Sequence, residues 1–120
     1  MWSHAEGGAT KALGRASHSE GYNTTAKGAN SHAEGEGTQA NGYASHASGM
    51  KAIATENFSF AWSGISSTTA YSSHGQGTFN INPVSGISGF WIGKKNLGQY
   101  INEISSSITS IQDDCALKTE

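Results

Sequence analysis

Small and polar side chains alternate in two short stretches that return every 14 residues along the first part of the chain. The first stretch is Ser3-His4-Ala5-Glu6-Gly7, repeated as Ser17-His18-Ser19-Glu20-Gly21, Ser31-His32-Ala33-Glu34-Gly35 and, more loosely, Ser45-His46-Ala47-Ser48-Gly49. The second carries Thr10, Thr24 and Thr38, then Ala12, Ala26 and Ala40, then Gly14, Gly28 and Gly42. Successive side chains of a strand point to opposite faces. Ser and Ala of the first stretch therefore share one face while His and Glu share the other, and Thr and Ala line one face of the second. Two strands of about five residues, joined by turns at Gly7, Gly14 and their equivalents, make one coil of a narrow parallel β-solenoid. The same step passes through Phe60 to His74. Six units over residues 3–77, stacked at about 4.8 Å, give a rod about 29 Å long.

A two-stranded coil is too thin to enclose large groups, so its interior is the Ser, Ala and Thr set. The variable positions (Lys11, Leu13, Thr25, Lys27, Gln39, Asn41) meet solvent. Such an interior stabilises weakly, because each buried carbon contributes only roughly 0.8 kcal/mol. The fifth unit carries Phe60 and Trp62 at the His and Glu positions, apolar groups that a solvent face disfavours. The His/Glu face is therefore expected to pack against other copies of the chain.

A second apolar pattern lies near the C-terminus, where Leu97, Ile101, Ile104, Ile108, Ile111 and Cys115 are spaced 4, 3, 4, 3 and 4. This is a heptad seam, with Leu97, Ile104 and Ile111 at d and Ile101, Ile108 and Cys115 at a. Isoleucine at both positions disfavours dimers and favours trimers or tetramers. Ser105, Ser106, Ser107, Thr109 and Ser110 are poor helix formers, so the helix needs partners to persist. Asn96 with Gln99 reads as its N-terminal cap pair. Between the patterns, Thr78–Asn82 alternates like a strand, Pro83–Gly86 reads as a turn and Ile87–Ile92 as a returning strand. Phe79, Phe90, Trp91 and Ile92 are expected to seal the junction. The expected organisation is β-roll repeats over 1–77, a connector over 78–96, a coiled-coil stalk over 97–117 and a tail over 118–120.

Composition narrows the function. Hydrophobic residues make up 35% of the 120, and 16 are glycine, which argues against a conventional core. A net charge of −2 without a basic run gives no support for nucleic-acid binding. No apolar stretch approaches the roughly 20 residues of a membrane helix. Entry into the repeat at Ser3 leaves no room for a signal peptide, and the end at Lys118-Thr119-Glu120 lacks a closing element, so a piece of a longer protein is expected. The single Cys115 excludes an intrachain disulfide and is expected as a small buried side chain at its a position.

Serine beside histidine, with glutamate two residues on, has the composition of a hydrolase site, but adjacent strand residues face opposite ways, so Ser31 cannot serve His32 as a nucleophile. No enzyme activity is expected. The pairs His4/Glu6, His18/Glu20 and His32/Glu34 instead read as a ladder in which Glu of one chain meets His of another. The alternative is a transition-metal ion held by three imidazoles of one layer on a threefold axis. No cofactor or metal is assigned. Tyr22, Tyr43 and Met50 fall at coil turns, where exposed aromatics offer contact to a glycan.

The units Asn30-Ser31-His32-Ala33-Glu34-Gly35 and Ala44-Ser45-His46-Ala47-Ser48-Gly49, with their Thr/Ala/Gly spacers, resemble the N-S-V-A-I-G-type repeats of YadA-like heads in trimeric autotransporter adhesins. The S-H-A-E-G form is also similar to repeats in phage tail fibre and tail-associated proteins. The resemblance covers residues 1–77 and implies an all-β solenoid, a left-handed parallel β-roll, with three chains side by side followed by a coiled-coil stalk. His and Glu stand where the family has Val and Ile, which implies a polar ladder in place of a dry interface. On this basis His4, Glu6, His18, Glu20, His32, Glu34, His46, Phe60, Trp62 and His74, with the helix seam, are expected at a homotrimer interface. The implied function is a fibre segment of a phage tail that supports or presents host-receptor binding; the alternative is the head of a bacterial surface adhesin. Implied partners are two further copies and a host cell-surface glycan or protein, with no membrane insertion.

Overall fold

The computed structural model describes residues 2–65 and 68–119, with helix side chains up to residue 109. The chain forms two compact units, Met1–Asn82 and Pro83–Glu120. The first is a parallel β-solenoid. One sheet stacks β1 (His4–Gly8), β3 (His18–Tyr22), β5 (His32–Glu36), β7 (His46–Gly49), β9 (Phe60–Ser63) and β11 (Phe79–Asn82) in that order. The other stacks β2 (Lys11–Ala12), β4 (Thr25–Ala26), β6 (Gln39–Ala40), β8 (Ala52–Ala54) and β10 (Tyr71–Ser72). Equivalent repeat positions pair in register: His4 with His18, His18 with His32, His32 with His46, and His46 with Phe60.

The interior is the small set that the alternation predicts. Ala26, Ala33, Ala40, Ala47, Ala52, Ala54 and Ala61 are fully buried, and Thr24 and Thr38 are the largest wholly enclosed side chains. Buried hydroxyls are tolerated only when bonded, and here they are. The Ser17, Ser31 and Ser45 hydroxyls donate to the carbonyls of Gly14, Gly28 and Gly42 at 2.7, 2.7 and 2.8 Å. Thr38 donates to the Glu34 carbonyl at 3.0 Å. The serines before His18, His32 and His46 thus each close the turn that precedes them.

The turns differ from expectation in one respect. Gly21 and Gly35 do take positive φ, 106° and 100°. At the other corner the left-handed residue is not Gly14, Gly28 or Gly42 but the one two positions later: Ala16, Asn30, Ala44 and Phe58, with φ from 49° to 58°. The glycines there serve close approach instead, since a Cβ on Gly28 would lie 1.8 Å from the Gly42 carbonyl oxygen of the next coil.

The 14-residue step also fails once. Phe60 pairs with Phe79, 19 positions on, and Tyr71 pairs with Ala52, again 19 positions apart. The connection after β9 is five residues longer than its predecessors, so the count that reached His74 slips. His74 lies just after β10, where its Nδ1 approaches the Asn80 amide oxygen at 3.0 Å. Phe79–Asn82, expected in the connector, is the last strand of the roll. Asn80, paired with Ala61, fills the position of an interior alanine, and its side-chain amide donates to the Phe60 carbonyl at 3.0 Å and the Thr78 hydroxyl at 2.8 Å.

In the second unit, Gly86–Gly89 forms a 3-10 turn, not part of a strand returning on β11. β12 (Trp91–Ile92) instead pairs antiparallel with β13 (Lys95–Asn96) across a tight turn in which Gly93 has φ 63°. Helix α1 (Leu97–Thr119) follows. Its cap is reciprocal, as expected: the Gln99 amide donates to the Asn96 side chain at 2.9 Å and the Asn96 amide donates to the Gln99 side chain at 2.9 Å. Asn96→Ala should cost about 1 kcal/mol of helix stability. The helical signal at 222 nm is then expected to melt earlier while the β signal is unchanged. Among the described residues, no helix is long and apolar enough to cross a membrane.

Candidate interaction face

The outer face of the six-stranded sheet carries two columns of side chains. In the first, His4, His18, His32, His46, Phe60 and Phe79 stack as a continuous file of rings, with successive centroids 5.2, 4.7, 4.7, 4.9 and 4.6 Å apart. The spacing follows from the parallel register, which sets equivalent residues about 4.8 Å apart. The second column, two residues along each strand, is Glu6, Glu20, Glu34, Ser48, Trp62 and Ile81. The face is therefore polar along its first three coils and apolar along its last two.

Within one chain, glutamate reaches the histidine of the following coil. His32 Nε2 lies 3.3 Å from Glu20 and His46 Nε2 3.3 Å from Glu34, while His18 Nε2 is 3.8 Å from Glu6. Each carboxylate sits diagonally below the imidazole of the next coil, a reach that neighbouring strands allow. The hydrogen bond from His4 holds the Glu6 carboxyl below its usual range, reinforced by the positive charge that His4 and His18 can carry. Half-exposed pairs of this kind contribute only about 0–1 kcal/mol each. Glu6, Glu20 and Glu34 each have an imidazole of the next coil within 4 Å. What remains unpartnered is apolar: Phe79 is 68% exposed and Trp62 36%.

Of the residues expected at an interface, His4, Glu6, His18, Glu20, His32, Glu34, His46, Phe60 and Trp62 share this face, and His74 stands apart from it. Phe79 and Ile81 join the face and were not expected there. Their signal was present in the sequence, since Phe79-Asn80-Ile81 repeats the aromatic-small-apolar order of Phe60-Ala61-Trp62. The seam residues Leu97, Ile101, Ile104 and Ile108 lie on α1, with Ile101, Ile104 and Ile108 exposed. Ile111 and Cys115 fall outside the described side chains. At the coil corners, Tyr22, Tyr43 and Phe58 are exposed, with the Tyr43 and Phe58 rings meeting edge to face at 5.5 Å.

No protein-family model matches the chain, and no curated protein or solved structure shows significant similarity to it.

Proposed function

We propose that the chain is a structural, adhesive fibre segment of the YadA-like kind, in which three copies of a left-handed β-roll pack through the ring-bearing face and continue into a three-stranded coiled coil. The observation that carries this reading is the apolar end of that face, Phe60, Trp62, Phe79 and Ile81, together with the exposed Ile101, Ile104 and Ile108 on the helix. Apolar surface left open in each unit marks an interface. The need is energetic as well: an interior of Ala, Ser and Thr gives each coil few buried methyl groups, at roughly 0.8 kcal/mol per buried carbon. Packing three ring files together supplies large apolar area that one chain does not enclose.

The mechanism is mechanical. Backbone ladders hold the coils rigid along the stack, and association between chains prevents bending. Exposed aromatic corners, Tyr22, Tyr43 and Phe58, face outward toward a host-surface glycan or protein. Placement in a phage tail fibre follows the S-H-A-E-G form of the repeat. Glutaraldehyde cross-linking of dilute chain tests the assembly, with a denaturing gel expected to show bands for one, two and three chains and none higher. A single-chain band at every dose would sink the reading.

A further inference from the structure

We propose that the histidine ladder binds divalent transition-metal ions of the zinc class, each held by the imidazoles of two successive coils and the carboxylate between them, two ions per chain. Among the described residues there are three such trios: His4, Glu6 and His18; His18, Glu20 and His32; His32, Glu34 and His46. Within each, the ligand atoms all lie within 4.8 Å of one another. Two imidazoles and one carboxylate form a recognised donor set for zinc, with metal–ligand distances of about 2.0–2.2 Å and a fourth position open to water. Tetrahedral donors at that radius stand about 3.3–3.5 Å apart. The Glu20–His32 and Glu34–His46 separations, 3.3 Å each, are already at this value.

A second observation points the same way. His18 Nε2 is shielded from solvent and has no hydrogen-bond partner. It sits where the first two trios meet, with the Glu6 carboxylate 3.8 Å away, beyond hydrogen-bond length. Imidazole favours copper, nickel and zinc over calcium and magnesium, which take oxygen donors. The ladder also ends where the chemistry ends: the fourth coil has Ser48 in place of glutamate, and the fifth has Phe60 in place of histidine.

The number of ions follows from sharing. His18 belongs to the first and second trios, and His32 to the second and third. Offering one nitrogen each, these residues cannot serve both neighbours together. The outer trios share nothing, so both fill and the central one stays without an ion.

The test is zinc titration of the untagged, chelator-treated full chain by calorimetry, with the ion count checked by elemental analysis after gel filtration. Two ions per chain are expected. Glu20→Gln should leave two, because it touches only the central trio. Glu34→Gln should leave one, since the first two trios compete for His18. The double variant His18→Gln/His32→Gln should leave none, and Lys27→Gln should leave two. Calcium should not bind. No zinc uptake, a count of one-third per chain from an ion shared on a threefold axis, or zinc retained by the double variant would each overturn the proposal. Circular dichroism of every variant confirms that the strands are intact, since these positions lie on the outer face. The proposal rests on the geometry of one chain: a single-chain mass with two ions removes the three-chain reading alone, and a trimer without zinc removes this one alone.

Discussion

Gly28→Ala is expected to unfold the roll, with the thermal midpoint falling by about 15–30 °C, while Gly75→Ala leaves it nearly in place. A Cβ at Gly28 would stand 1.8 Å from the Gly42 carbonyl oxygen and 2.5 Å from its carbon, both backbone atoms of the next coil. Neither can retreat without breaking the ladder, because the Lys27 and Gly28 amides donate to the Ala40 carbonyl across the same gap, at 2.8 and 3.1 Å. Overpacking against backbone costs on the order of 3–5 kcal/mol, equivalent to that midpoint shift for a unit of this size. Gly75 is the control, since a Cβ there meets only the Thr78 methyl at 3.6 Å. Melts that coincide for the two variants would show that the coils do not depend on this approach.

Phe60→Asp is expected to dissociate the assembly while the strands persist. Phe60 is half-buried and stacks on Phe79 with centroids 4.6 Å apart and planes 17° from parallel. Burying a phenylalanine is worth roughly 2–3 kcal/mol. Phe60 is already half-buried within its own chain, so association adds about half of that, and its loss in each of three chains weakens association by on the order of 10²–10³-fold. A carboxylate facing two copies of itself adds repulsion to the lost area. Phe60→His is the informative companion, because four coils already carry histidine at this position, so the ring file and the fold survive and the loss is smaller. Sedimentation velocity distinguishes the two: a sedimentation coefficient unchanged in Phe60→Asp would mean that the ring face is not buried between chains.

Period and alternation made the solenoid legible, because parallel stacking maps sequence spacing directly onto register. Alternation likewise placed Ser31 inside the coil and His32 on its outer face. The slip after Trp62 was not legible: nothing in Gly64 to Ala70 marks a five-residue insertion, and Ser73-His74-Gly75 imitates the repeat closely enough to carry the count past the true rung at Phe79. The turn chemistry at Gly28 was misread because glycine answers two different demands, positive φ and close approach, and composition does not tell them apart. The intra-chain approach of Glu20 to His32 and of Glu34 to His46 was not legible, because alternation gives the face of a side chain but not the diagonal to the next coil. The apolar remainder of the face is what then argues for other copies.

The mass of the full chain in solution, by light scattering over a wide concentration range, tests that claim most directly. The expected mass is three times the 12.5 kDa of one chain. A folded species of 12.5 kDa, with its strand signal intact, would contradict it.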